Sequence, residues 1–259
     1  MKKNILLILL FGGISFSYAD CAMNGMEFFP KQKEISLSPM FIIQGYSMSQ
    51  KTVENFKNRK VYVESENGDL TELILVEILK SEKYLTQAIF KVSKELLPNL
   101  KYYIKYSDEN ENEKREMLQY NKDENKHEKV FWKTSDLKSI DLLNPNLKII
   151  FEKTDTIFYG CGPEANAIFK IVNKVNSEIW YKTELIEIET NKKTIFYITE
   201  NNNKLKVGHG MCSGAFIFKQ KGKYKVRFTP MNIDGQELTK TEWKTFESPF
   251  ASNKNKLGF

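Results

Sequence analysis

Short runs in which apolar and polar residues alternate make up most of the chain. Residues 184–189 read Glu-Leu-Ile-Glu-Ile-Glu, the pattern of a strand with one buried face. Asn67-Gly68 and Asp234-Gly235 are hairpin-type turns between such runs. The one helix candidate, 53–58, is short. The predicted strands are 40–46, 60–65, 70–79, 86–92, 101–107, 129–134, 147–159, 166–172, 179–189, 194–199, 214–219, 223–230 and 238–245. This pattern predicts an all-β protein built from β-sandwiches.

The predicted strands fall into two groups of similar size. Asn144-Pro145-Asn146 separates two apolar runs, and Asn-Pro favours a turn over a helix. We therefore predict a first β-sandwich domain at 20–137, a linker at 138–146, a second β-sandwich domain at 147–250 and a C-terminal tail at 251–259.

A short repeated motif suggests that the two halves arose by duplication. The triplet Trp-Lys-Thr begins at Trp132 and again at Trp243, 111 residues later. Each copy follows an alternating aromatic strand, 102–106 in the first half and 224–228 in the second. The common order and the domain-sized spacing favour a tandem duplication.

Both halves carry a motif of a known fold. The run Leu96-x-Pro98-x-x-x-Tyr102-x-Ile104 resembles the L-x-P-x-T-x-Y-x-V stretch of fibronectin type III domains, with Leu100 in place of the threonine. Residues 222–235, which contain Tyr224, are similar to the ending of many bacterial Ig-like domains. The resemblance covers about a dozen residues in each half. It implies two tandem Ig-like or fibronectin type III-like sandwiches, with Tyr102 and Tyr224 as core tyrosines of the tyrosine-corner type. Such folds host many unrelated functions.

The N-terminus has the three parts of a secretory signal peptide. Lys2 and Lys3 precede a short apolar stretch, and small residues stand at Ser17 and Ala19. We predict cleavage after Ala19 and export to the periplasm, the cell surface or the medium. The apolar stretch is short for a transmembrane anchor. A lipid on Cys21 would be the one membrane link, and Asp20 directly before it argues against lipid attachment.

Charge argues against a nucleic-acid ligand. The 39 basic and 33 acidic residues give a net charge of +6, and loss of Lys2 and Lys3 with the signal peptide leaves +4, from 37 basic residues against 33 acidic ones. Residues 114–129 alternate in sign, as a solvated surface does. Nucleic-acid binding requires clustered basic residues on one face, and the sequence has no such cluster.

The three cysteines raise the main chemical question. Cys212 lies in Gly-Met-Cys-Ser-Gly, which copies the spacing of a nucleophile elbow. The residues after it alternate as a strand, whereas an elbow needs a helix there, and only His127 and His209 could serve as a base. In an exported chain we predict a disulfide between Cys161 and Cys212. Cys21 is then a free thiol, a lipid site, an interchain partner, or a residue that displaces one member of that pair.

These patterns favour a non-enzymatic exported protein that acts through binding or spacer modules. The ligand is an unidentified protein or glycan, and no cofactor or metal site is predicted. Two alternatives stay open. One is a carbohydrate-binding module with Trp132, Trp180 and Trp243 as a stacking platform; the other is a cysteine-dependent hydrolase centred on Cys212 and His209.

Overall fold

A computed structural model describes residues 21, 24–121, 125–137 and 143–251. The predicted signal peptide, most of the predicted linker and nearly all of the predicted C-terminal tail lie outside the described residues. Within them, no helix has the length and apolar character needed to cross a membrane. The described chain is mostly strand, as the alternating pattern predicted.

The first half of the described chain forms ten strands and two short helices. These are β1 (Asn24–Phe29), β2 (Glu34–Ile35), β3 (Met40–Ser47), α1 (Gln50–Asn55), β4 (Val61–Ser65), β5 (Leu70–Lys80), β6 (Leu85–Val92), β7 (Lys101–Tyr106), α2 (Glu111–Glu116), β8 (Leu118–Asn121), β9 (Lys126–Lys129) and β10 (Phe131–Thr134).

Eight of these strands form one ribbon in the order β1-β3-β6-β5-β4-β7-β10-β2. The long strand β5 pairs with β4 at its start and with β6 over the rest, with a register shift between Leu75 and Glu77. This bend lets the ribbon fold over itself. The ring of Phe41 in β3 lies 4.8 Å from that of Trp132 in β10, so the two wings of the ribbon face each other.

The second half forms two separate sheets. Its strands are β11 (Lys148–Tyr159), β12 (Gly162–Val172), β13 (Ile179–Glu187), β14 (Lys193–Thr199), β15 (Lys204–His209), β16 (Lys223–Asn232) and β17 (Lys244–Glu247). One sheet has the order β11-β12-β15 and the other β14-β13-β16-β17. Phe169 of the first sheet contacts Phe228 of the second with ring centroids 5.0 Å apart, and both are buried. The two sheets therefore enclose a common core.

The two halves also pack closely against each other. Trp180, Tyr197, Met231 and Ile233 belong to the second half, yet they are buried in the hydrophobic core of the first. The side chain of Gln87 in β6 donates to the carbonyl of Tyr197 at 2.9 Å and accepts from its N–H at 3.1 Å. A buried amide that satisfies both groups of a facing peptide fixes one strand against the other. This contact joins the halves through a shared, hydrogen-bonded interface.

Several strand predictions need correction. In residues 214–219, Phe216 and Phe218 are buried in alternation, as in a strand. The segment is not part of a sheet, however, because its backbone does not form a ladder with a neighbouring strand; the Ile217 N–H, for example, donates to the side chain of Glu82. Of the predicted strand 238–245, only Lys244 and Thr245 lie in a strand, β17, which continues to Glu247. β1, β2, β8 and β15 were not predicted, and β9 overlaps the predicted strand 129–134 only at its last residue. The helix near 53–58 is α1, at Gln50–Asn55, and the capped helix α2 within the charged run was not predicted.

The Trp-Lys-Thr repeat does not mark equivalent positions. Trp132 is buried opposite Tyr102 in the β7–β10 register. Opposite Tyr224, the corresponding tyrosine of the second half, stands Phe246 and not Trp243. Trp243 is half-buried, and the guanidinium of Arg227 lies 4.5 Å from its ring centroid. The aromatic partner of the core tyrosine is therefore three residues later than the triplet suggests.

Candidate ligand groove between the two halves

A groove runs along one side of the boundary between the halves. Its central cavity has a volume of about 300 Å³. Cavities of about 490 Å³ and 350 Å³ adjoin it, and Glu27 lines all three. Ligand sites in proteins occur preferentially at such domain boundaries. We call these three cavities together the groove.

The floor of the groove is the outward face of β1, β3 and β6. Side chains alternate across a strand, so every second residue of each strand faces the groove. The floor residues are Gly25, Glu27, Phe29, Ile42, Gln44, Tyr46, Leu85 and Gln87. The residues between them, such as Phe28 and Ile43, point to the opposite face, and Phe29 and Ile42 of the floor are themselves buried in the core of the first half.

The opposite wall comes from the second half. Glu164 and Asn166 of β12, Lys206 of β15 and Thr199 of β14 supply its polar part, and Trp180 and Phe196 its apolar part. The side chain of Glu164 accepts hydrogen bonds from Lys206 at 2.8 Å and from Asn166 at 3.0 Å. Because acids and bases pair within the wall, the groove has no strong net charge with which to attract a polyanion or a polycation.

Three strands at the ends of their sheets line the groove. β1 ends the eight-stranded ribbon, β14 ends the four-stranded sheet and β15 ends the three-stranded sheet. Along β1, the described residues pair only with β3 on one side. An end strand presents unpaired N–H and C=O groups on its free side. Some of these groups already have partners: the N–H of Gly25 donates to Oγ of Ser49 at 3.1 Å, and Gln87 bonds both groups of the Tyr197 peptide in β14. The free side of β1 between Glu27 and Phe29 is therefore the part of the groove at which another extended chain could pair.

A tight turn, residues 208–214, closes one end of the groove. The N–H of Gly210 donates to the carbonyl of Ser213 at 2.8 Å, and that of Gly214 donates to Lys83 in the first half at 3.0 Å. Gly208 has φ of +154°, and a Cβ there would collide with the carbonyl oxygen of Ala165. Only glycine fits this position. The turn thus has a fixed shape and is hydrogen-bonded to the first half.

His209 lies in this turn and is buried. Its Nδ1 is 2.9 Å from the carbonyl oxygen of Gly210 and 3.2 Å from Nζ of Lys83. Burial lowers the pKa of His209, the hydrogen bond with Gly210 raises it, and the Lys83 charge lowers it again; the net direction is down. The ring is therefore uncharged at neutral pH. His127 is exposed on β9, where its ring lies 5.4 Å from that of Tyr120.

The cysteines pair differently from the prediction. Cys21 is bonded to Cys212, with Cα atoms 5.7 Å apart, and Cys161 has a free, exposed thiol. The predicted Cys161–Cys212 bond is wrong for this structure. The reason is spatial: Gly25 of β1 and Ser213 of the turn line the same cavity, so the start of β1 brings Cys21 to Cys212 although 191 residues separate them.

This pairing bears on the nucleophile question raised by Gly-Met-Cys-Ser-Gly. A bonded sulfur has no thiolate to attack a substrate. The residues after Cys212 are extended, with Phe216 and Phe218 buried, so the helix that an elbow requires does not follow. Nδ1 of His209 faces Gly210 and Lys83, as described above.

The two tyrosines singled out in the sequence have equivalent surroundings. The hydroxyl of Tyr102 accepts a hydrogen bond from the N–H of Leu97 at 2.8 Å, and that of Tyr224 accepts from Lys219 at 2.9 Å. Each donor lies five residues upstream, and each tyrosine is 2% exposed. This is the geometry of a tyrosine corner. Burial raises the pKa of both phenols.

The tryptophans do not form one platform. Trp132 and Trp180 are 1% and 0% exposed, and their indole N–H groups donate to the carbonyl of Pro30 and to Glu178.

Among the described residues, no cluster of three or more His, Cys, Asp or Glu side chains could hold a metal ion.

Comparisons with known proteins leave the family open. No protein-family model matches the sequence, and a search of curated proteins finds no match. Among solved structures, the chain is similar to a pullulanase complexed with maltotriose from Anoxybacillus sp. LM18-11, at 9% identity and a TM-score of 0.26. That match covers 85% of this chain but 25% of the pullulanase. A cytokine receptor complex matches at 8% identity and a TM-score of 0.24, over 85% of this chain and 94% of that one. Likenesses at this level carry no argument about fold family or function.

Proposed function

We propose that the protein is an exported, non-enzymatic binding protein made of two Ig-like or fibronectin type III-like sandwiches, and that the groove between them binds an extended peptide segment of a partner protein. Face-to-face sheets with a tyrosine corner in each half support the sandwich assignment. The Cys21–Cys212 bond supports export, because disulfides persist in oxidising compartments.

The observation that carries the ligand assignment is the course of the groove along β1. Gly25, Glu27 and Phe29 of β1 line its successive cavities, so the groove follows the strand over these residues. In strand addition, the main chain of the end strand supplies affinity, while pockets for alternate side chains supply specificity.

The polar groups of the groove support binding in preference to catalysis. The side chain of Gln87 hydrogen-bonds to both the N–H and the carbonyl of Tyr197. The carboxylate of Glu164 accepts hydrogen bonds from Lys206 and Asn166. Groups that are held by one another fix the shape of a site. Catalysis would need a nucleophile, a base and an orienting group within reach of one another.

Gly25 allows a direct test. No atom lies within 4 Å of a Cβ placed on Gly25, so a side chain can start at this position without striking a neighbour. The variant Gly25→Trp would fill the cavity that Gly25 shares with Gln44 and Tyr46. Gly160 is equally free of neighbours and lies outside the groove, so Gly160→Trp is the matched control.

The experiment selects random 12-residue peptides on the wild-type protein by phage display. Fluorescence anisotropy then gives the dissociation constant of each selected peptide for the three proteins. We expect Gly25→Trp to weaken binding at least tenfold and Gly160→Trp to leave it unchanged. Peptides that bind both variants equally would contradict the groove assignment. A parallel glycan array in which only Gly25→Trp loses a signal would replace the peptide with a glycan as the ligand.

A further inference from the structure

All three cysteines of the chain lie at one place. Cys21, Cys161 and Cys212 line a single cavity of about 610 Å³, together with Lys83 and Met211. The free thiol of Cys161 is exposed, and the other two sulfurs form the disulfide. A thiol beside a disulfide is the arrangement from which disulfide exchange proceeds.

The backbone around Cys161 brings it close to Cys212 in particular. A Cβ placed on Gly162 would lie 4.0 Å from the carbonyl oxygen of Met211. Cys161 and Cys212 are the next residues along these two touching segments, each one peptide step of about 3.8 Å away. Cα atoms within about 7 Å can be bridged by a disulfide. The contact between these two segments therefore places Cys161 in the neighbourhood of Cys212.

We propose that Cys161 is an exchange thiol for the Cys21–Cys212 disulfide. The Cys161 thiol gives its proton to solvent, and its thiolate attacks Sγ of Cys212. A bond forms between the sulfurs of Cys161 and Cys212 while the bond between Cys212 and Cys21 breaks. Cys21 leaves as a thiolate and takes a proton from solvent. One disulfide and one thiol are present before and after, so the step needs no oxidant or reductant.

Exchange would change how the start of the chain is held. In the described structure, the disulfide ties Cys21 to the second half, three residues before β1 begins at Asn24. After exchange the bond lies wholly within the second half, and Cys21 is released. The site is therefore a thiol-controlled attachment for the segment that leads into β1. This inference does not depend on the peptide ligand.

The test maps disulfides in the purified, oxidised full chain. The protein is incubated at pH 6.5 and at pH 8.5, quenched with acid, alkylated, digested and analysed by mass spectrometry. We expect both the Cys21–Cys212 and the Cys161–Cys212 bonds, with at least tenfold faster exchange at pH 8.5, because thiolate content rises with pH. Persistence of Cys21–Cys212 alone after long incubation at pH 8.5 would overturn the proposal.

Two variants keep the result interpretable. Cys21→Ser should form the Cys161–Cys212 bond on oxidation, and two alkylated thiols in a folded Cys21→Ser protein would contradict the proposal. Cys161→Ser should keep the Cys21–Cys212 bond at every pH.

A mixture of isotopically heavy and light wild-type protein should give no disulfide that joins a heavy chain to a light one. Finding such a disulfide would show that exchange occurs between chains and would refute the intramolecular step.

Discussion

Glu184 should make the stability of the second half depend on pH. Its side chain is 4% exposed, although it is charged. Arg227 donates to both carboxylate oxygens, at 3.0 and 2.9 Å, Lys240 lies 3.1 Å away, and Lys193 completes the cluster. Burial opposes ionisation, but these three cations outweigh it and lower the pKa of Glu184 from 4.5 to about 2.

The direction and size of the effect follow from this pKa. A carboxylate whose pKa is lower in the folded state stabilises the fold above its unfolded pKa, and that contribution is lost as pH falls towards the folded pKa. The fall from 4.5 to about 2 corresponds to about 3 kcal/mol at pH 7. By linkage, about 1 kcal/mol of this is lost by pH 4 and about 2 kcal/mol by pH 3.

Urea unfolding of the wild type and of Glu184→Gln tests this between pH 7 and pH 3. We expect the variant to be less stable by about 3 kcal/mol at pH 7, and the difference to shrink to about 1 kcal/mol at pH 3. Glu247→Gln is the control, because Glu247 is exposed and pairs with Lys223 at 3.4 Å; it should cost less than about 1 kcal/mol. A Glu184→Gln difference that stays constant with pH would show that the pKa of Glu184 is not lowered in the folded protein.

Three further substitutions test the packing. Gly208→Ala should destabilise the protein by several kcal/mol in urea unfolding, since its Cβ would strike Ala165; a neutral effect would contradict the turn geometry. Tyr224→Phe should cost about 1–3 kcal/mol, because the Lys219 N–H loses its acceptor, and equal midpoints of thermal unfolding would argue against the corner. Trp180→Ala should lower the free energy of unfolding by about 3–5 kcal/mol, because it leaves a cavity between the halves. Trp243→Ala should lower it clearly less, and calorimetry that gives the reverse order would contradict the shared core.

Local pattern was sufficient to predict much of the fold. In β7, Tyr102, Ile104 and Tyr106 are buried while the residues between them face outward, as the alternation indicated. The period of two depends only on the pleat of a strand, so it can be found without knowledge of the partners. The all-β class and most strand positions follow from it.

Contacts between distant segments could not be predicted in this way. In β13, the neighbouring residues Trp180 and Tyr181 are both buried. Trp180 faces the core of the first half, and Tyr181 faces the core of the second. A strand covered on both faces loses its alternation. The disulfide and the groove have the same origin: Cys21 and Gly25 meet the turn at residues 208–214 only because the halves pack together.

Amide hydrogen exchange with and without a selected peptide would locate the ligand, because it reports on the main chain of each end strand. We expect saturating peptide to slow exchange in β1 and along β14 or β15, with little change in the core strand β13. Unchanged exchange in β1 at saturating peptide would show that the ligand binds away from the groove.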